Sequence, residues 1–222
     1  MKRFLIGSVL AALLLFGCRA KPENSTEKPA ESSVWTVNTS IITDILKEED
    51  KTVFGKAAQG SDAYTPVAVL ARQIVSGTNA AYLCLKNAED GAVWEIVKVY
   101  AALDGSTSIT QESVIDPAAI RTTDSGIKGG LAGGWEISPD RANAIVLEAD
   151  VNTAFKNAAE ACSEAVLSPV VLLAESDHAY LILAQGTRVE DSSEQIYAVT
   201  VPKESEEPAQ AEILDLVGYL SE

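Results

Sequence analysis

Histidine occurs once in 222 residues, methionine once and cysteine three times, and Lys plus Arg number 17 against 32 Asp plus Glu. One imidazole and three thiols leave too little material for a His/Cys zinc site or a His-based catalytic triad. The shortage of cations gives a net charge of −15. A chain that acidic has no basic footprint for nucleic acid and is repelled by anionic lipid surfaces. No apolar run reaches the roughly 20 residues of a spanning helix. What is present is ordinary globular material: 47% hydrophobic and 22% charged residues exclude wholesale disorder. The length suits one large domain or two small ones.

Lys2 and Arg3 precede an apolar run, Phe4–Phe16, interrupted by Gly7 and Ser8. This has the charge and length of a secretory signal. It ends Leu15-Phe16-Gly17-Cys18, which resembles the lipobox of bacterial lipoproteins, with Phe16 bulkier than that pattern usually carries. The resemblance implies cleavage before Cys18 and acylation of its thiol. The other reading is an ordinary signal peptide with an incidental cysteine. Two acyl chains, at about 0.8 kcal/mol per buried methylene, would anchor the chain to a membrane of the cell envelope. Loss of residues 1–17 removes Lys2 and Arg3, leaving 15 basic against 32 acidic side chains, or −17. Residues 19–33, RAKPENSTEKPAESS, carry too little apolar surface to offset ordering entropy, so a disordered tether is expected there.

The remainder repeats itself. Trp35, Phe54, Ala57-Ala58, Pro66 and Ala81-Tyr82-Leu83 recur in the same order as Trp135, Phe155, Ala158-Ala159, Pro169 and Ala179-Tyr180-Leu181. The offset stays near 100, as two copies of one unit with small loop changes would give. Each copy reads as a helix followed by antiparallel strands, so the expected class is α+β: two tandem units, each with one helix packed on a curved antiparallel sheet. The expected boundaries are residues 34–117 and 135–222, joined by a glycine-rich linker over 118–134.

In the second copy, Ser138-Pro139-Asp140 is a strong helix start. Ala144, Leu147, Val151, Ala154, Phe155, Ala158 and Cys162 follow as one apolar stripe. In the first, Ile42, Ile45, Leu46, Val53, Phe54 and Ala57 make a similar stripe, which Glu48-Glu49-Asp50 and Gly55 weaken. Strands are expected over 66–75, 78–86, 92–103 and 107–115, then 169–175, 179–185, 195–201 and 211–217. Ser76-Gly77 and Asp104-Gly105-Ser106 are tight turns.

Between two strands and after a helix stands Gln73-Ile74-Val75-Ser76-Gly77-Thr78-Asn79. This is similar to the QxVxG hairpin of the cystatins, inhibitors of papain-like cysteine proteases, and the element order of copy one follows theirs. The resemblance implies three contact segments: a glycine-bearing N-terminal segment, the QxVxG hairpin, and a second hairpin bearing Pro-Trp. Copy one keeps the middle segment, with Ser32-Ser33-Val34 and Leu103-Asp104-Gly105-Ser106 in the other two places. In copy two, Gly133-Gly134-Trp135 looks like the glycine-bearing segment, but the first hairpin reads Glu175-Ser176-Asp177-His178. Gln73, Ile74, Val75, Ser76, Gly77, Gly133, Gly134 and Trp135 are therefore the candidate partner-binding residues. The hairpin motif also has a purely structural reading, since Gly77 permits positive φ and Val75 suits a twisted strand.

The expected function is non-catalytic binding of a protein or peptide through hairpin tips. Weak inhibition of a cysteine protease and a structural or adhesive surface role are the alternatives. No cofactor, metal or nucleic-acid partner is expected. His178 with Asp177 reads as a solvated turn, and Glu204, Glu206 and Glu207 as a solvated loop without a calcium-binding pattern. Cys84 and Cys162 read as two separate thiols, with a disulfide between the copies the other option. Trp94 and Tyr100 read as sheet-face packing.

Overall fold

The structure, a computed structural model, describes residues 34–41, 46–59, 63–89, 91–117, 134–142, 147–203, 210–214 and 219–220. Residues 1–33 with Cys18, most of the expected linker including Gly133, and the acidic loop at Glu204–Glu207 lie outside the described residues. The described ones belong to one compact unit, residues 31–222.

The class is α+β, as the helix-then-strands pattern predicts. The first half contains β1 (Thr36–Val37), α1 (Glu48–Ala57), β2 (Tyr64–Val75), β3 (Gly77–Ala88), β4 (Gly91–Ala102) and β5 (Thr107–Ile115). These strands form one antiparallel sheet in chain order, sheet A. The second half contains α2 (Pro139–Ala142), α3 (Ala149–Glu160), β6 (Ala165–Glu175), β7 (Ala179–Arg188), β8 (Glu194–Pro202) and β9 (Gln210–Ile213). Sheet B, also antiparallel, runs β6-β7-β8-β9.

Strand alternation sorts the side chains into three apolar layers. Val69, Ala80, Tyr82, Cys84, Val97 and Val99 cover one face of sheet A and receive Phe54 of α1. Leu172, Ile182, Tyr197 and Val199 on one face of sheet B receive Val151, Phe155 and Ala158 of α3. The remaining faces pack on each other through Leu70, Leu83, Trp94 and Ile96 of sheet A and Val171, Leu173, Leu183 and Ile196 of sheet B. The arrangement is therefore helix, sheet, sheet, helix. Each sheet holds its own helix, and the halves share the central core. Trp94 pins that core by donating its Nε1–H to the Leu173 carbonyl at 2.6 Å. Tyr219 and Leu220 close it from the chain end: Gln111 and Ser113 of β5 donate to the Tyr219 carbonyl at 2.9 and 2.7 Å.

The two sheets bend at matching places. In β2 the register shifts between Pro66 and Ala68 and again between Val69 and Ala71; in β6 it shifts between Pro169 and Val171 and between Leu172 and Ala174. Each of these positions repeats at an offset of 103. Bulges insert an unpaired residue and increase local twist, so both strands curl around their helices at equivalent points.

Three expectations need correction. The stripe from Ser138 to Cys162 is not one helix: α2 is a four-residue turn, and α3 begins at Ala149 after Glu148, whose ψ of 156° is extended. Leu147 nevertheless packs with Val151 and Phe155, so the stripe marks a shared burial face rather than continuous helix. In the first half, Glu48-Glu49-Asp50 does not weaken a helix already under way. It forms the first turn, where negative charge opposes the positive end of the helix dipole. Finally, the tyrosine anchor is two residues out of register. Ladder pairing aligns Ala80 with Tyr180 and Tyr82 with Ile182, because ten residues separate Ala71 from its partner Ala81 and seven separate Ala174 from Leu181. A slip of two keeps every side chain on the same face, so alternation alone does not reveal it.

Candidate functional site

At the end of β2, Val75 pairs with Gly77 and leaves Ser76 at the apex of the QxVxG hairpin. Gln73 and Asn79 face each other across the ladder, and the Asn79 amide donates to Gln73 Oε1 at 2.8 Å. Gly77 has φ of 147°, and a Cβ there would run into the Ala101 carbonyl oxygen and lie 2.9 Å from the Tyr100 ring. Close packing of β3 on β4 thus requires glycine, in addition to the backbone angle. Tyr100 braces the turn by donating its hydroxyl to the Ser76 carbonyl at 2.7 Å. Among the motif residues, Ile74 presents apolar surface, at 54% exposed.

Two further segments meet that hairpin. Gly77 pairs with Ala102, which sets the β4–β5 turn beside it. In this second turn, Ser106 donates its backbone N–H and its hydroxyl to Asp104 Oδ1 at 2.9 and 2.7 Å. These bonds, the hydroxyl's first, hold the Asp104 carboxyl below its ordinary pKa. The turn carries Leu103 outward at 87% exposed. Thr36 of β1 pairs with Arg72, so the antiparallel chain enters sheet A at this same end, preceded by Val34 at 67% exposed. Val34, Ile74 and Leu103 therefore share one end of sheet A, each on a separate segment.

The equivalent end of sheet B has different chemistry. Glu136 bridges Glu175, with backbone bonds of 2.7 and 2.9 Å in the two directions. The β6–β7 turn is Ser176-Asp177-His178. Lys203 reaches it, donating its N–H to the His178 carbonyl at 2.9 Å and placing Nζ 3.2 Å from Glu175 and 4.7 Å from the Tyr180 ring centre. Ser176 Oγ accepts the Ala179 backbone N–H at 3.2 Å, so the hydroxyl is bound into the turn and is not aimed at the exposed His178 as a nucleophile. Gly134 has φ of 96°, while Trp135 packs half-buried against the shared core.

Gly134 and Trp135 do not join the Gln73 hairpin. Trp94 at the start of β4 touches Leu173 near the sheet B turn, whereas the sheet A tip, at Ala102, lies eight residues further along β4, roughly 26 Å away. Gln73 to Gly77 and Gly134 to Trp135 thus belong to opposite ends of the paired sheets. The motif-based reading looks for glycine and Pro-Trp and so passes over Val34 and Leu103. An apolar residue before a strand and another in an Asp-Gly turn are the signals that could have found them.

Elsewhere, polar side chains serve the layers. Arg72 bonds Asp50 at 2.6 Å at the start of α1, and the Tyr82 hydroxyl donates to the Asp50 carbonyl at 3.2 Å. Lys86 lies between Glu95 at 3.0 Å and Glu112 at 3.6 Å, under the Tyr64 ring. Burial, then the Glu112 carboxylate, pushes the Tyr64 hydroxyl up to about 12. Cys84 and Cys162 are both free, one behind each helix, and burial pushes the Cys84 thiol up. Among the described residues no three His, Cys, Asp or Glu side chains converge as a metal site, and no helix is long and apolar enough to cross a membrane.

No protein-family model matches the chain, and no curated protein or solved structure matches it significantly.

Proposed function

We propose that this chain is an exported lipoprotein, anchored to a bacterial membrane of the cell envelope through acyl chains on Cys18. Its two halves are tandem cystatin-like units, and it acts as a non-catalytic binding protein that touches a protein or peptide with the apolar end of sheet A. The observation that carries the reading is that Val34, Ile74 and Leu103 are exposed on three separate segments at one end of sheet A. Turns on a rigid sheet suit recognition, because the scaffold holds contact residues while the loops remain accessible. The repeated bulges at an offset of 103 support descent of both halves from one unit.

The QxVxG hairpin at the centre of this end favours a papain-like cysteine protease over other partners. Truncating an apolar side chain at such an interface costs ~2 kcal/mol or more only where that side chain is a central anchor. With Leu103 in place of Pro-Trp, inhibition is expected to be weak. Titration of the full chain against a panel of papain-like enzymes tests this. Gly77→Glu would strain the hairpin itself, so Leu103→Asp and Ile74→Asp are the cleaner variants, with Val114→Asp, which pairs with Glu95 near the opposite end of sheet A, as the exposed control away from the tip. Inhibition abolished in the first two and kept in the third supports the protease reading; no inhibition across the panel removes it. Anchoring is checked by mass spectrometry of Cys18 and by loss of membrane association in Cys18→Ser.

A further inference from the structure

Beside the sheet A tip, where Trp35 follows Val34, an open groove of about 650 Å³ runs between the edges of the two sheets. Its walls come from β1 and from β8 and β9, with β1 and β9 the end strands of sheets A and B, and Trp35, Val37, Ile213 and Leu214 make its surface largely apolar. Ile213, on an edge strand, is 44% exposed. End strands offer backbone groups that an extended chain can complete, and apolar edges favour such pairing.

The polar lining of the groove is Thr36, Thr39, Glu194 and Gln195, of which Glu194 alone is charged. The Glu194 carboxylate accepts the Thr187 hydroxyl at 2.7 Å and the Gln185 amide at 3.3 Å. Among the described residues no Lys or Arg forms an ion pair with Glu194. Gln185, only 5% exposed, also donates to the Thr39 carbonyl at 2.9 Å, and its Oε1 finds no donor. Glu194, the charged group of the lining, therefore favours a guest that brings a cationic donor. The wider field selects the same sign, because residues 135–222 hold 4 Lys and Arg against 17 Asp and Glu, while residues 34–117 hold 6 against 11. A cation is drawn toward the sheet B side of the groove.

We propose that this groove docks an extended peptide segment carrying one Lys or Arg between apolar side chains. The segment adds along β1, rests its apolar side chains on Trp35, Val37 and Ile213, and sets its cation against Glu194. The Trp35 ring adds a face on which a guanidinium or an aliphatic stem can lie. This surface goes beyond the hairpin-tip reading and survives its failure.

The probe is fluorescein-labelled Thr-Val-Thr-Lys-Thr-Val-Thr, titrated with the full-length chain and read by anisotropy. Its counterparts carry Glu or norleucine in place of the central Lys. The Lys peptide is expected to bind saturably, at least about fivefold tighter than the Glu peptide, with the difference shrinking in high salt. Glu194→Gln should remove most of that preference, while Ile74→Asp and Leu103→Asp leave it unchanged. Should Glu194→Gln fail to fold, the Lys-to-Glu discrimination of the native chain and its salt dependence still decide the matter. Equal binding of the three peptides, absence of saturable binding, or equal binding of free cadaverine would overturn the proposal.

Discussion

The two sheet ends are built from corresponding segments yet face their surroundings differently. The sheet A tip raises Val34, Ile74 and Leu103 above turns tied down by Tyr100 and Asp104. The sheet B tip presents Glu136, Glu175, Asp177, His178 and Lys203, while Trp35 and Trp135 pack alike against the shared core. The same difference extends to the helix starts, where Asp50 is buried against Arg72 and Asp150 is exposed, accepting the Tyr180 hydroxyl at 3.1 Å. One scaffold can therefore hold its packing while its surface chemistry diverges, because strand alternation separates inward from outward positions. Function is then read from the tips and grooves, since the shared fold is common to both halves.

The largest effect is expected at the core common to the halves. Trp94→Ala removes the largest fully buried side chain and leaves the Leu173 carbonyl without its donor, for a loss of about 3–5 kcal/mol. Urea unfolding followed by circular dichroism and by tryptophan emission should show one coincident transition, shifted as a whole. Two separate transitions would mean that the sheets fold independently.

Next comes the comparison of helix starts. Asp50→Ala should cost about 1–3 kcal/mol, below the value for a fully buried pair because Arg72 is partly exposed. Asp150→Ala should cost about 0.5 kcal/mol. Equal losses in thermal or chemical denaturation would remove the distinction between the two sites.

The glycines give a third contrast. Gly186→Ala pushes a methyl group to 2.8 Å from Leu167 and 2.9 Å from Tyr197 and should destabilise by about 1–3 kcal/mol. Gly55→Ala, in α1 with open space around it, should stabilise by about 0.5–1 kcal/mol through helix propensity.

The smallest effect is a pH dependence carried by tyrosines of both halves, since burial also raises Tyr197 of β8. Tyr64 has its pKa raised from 10.0 to about 12, so its contribution is complete below pH 10 and is lost as pH rises through about 12. Burial raises Tyr82 in the same direction. Tyrosinate absorbance should therefore lag behind that of free tyrosine in this window, and Tyr64→Phe should reduce the lag.

What the sequence reveals follows from which interactions are local. The Ser76-Gly77 and Asp104-Gly105 turns, the alternation of β3 and β4, and the order of helix and strands all depend on near neighbours. The shared core does not: Leu70, Leu83 and Trp94 alternate in their strands as they would over any apolar layer, and nothing in that pattern names sheet B as the layer. The break before Ala149 is hidden because Leu147 keeps helical spacing without helical backbone. The Glu194 groove is invisible for the same reason, as its walls come from Trp35 and Ile213, 178 positions apart.

The most direct measurement of the contact surface is photo-cross-linking in living cells. A benzoylphenylalanine residue is placed at Leu103 in one strain and at Val114, 55% exposed near the opposite end of sheet A, in another. A discrete adduct formed from position 103, absent from position 114 and abolished by Ile74→Asp, is the expected result. No adduct at position 103, or the same adduct from both positions, would contradict the assignment of the sheet A tip as the docking surface.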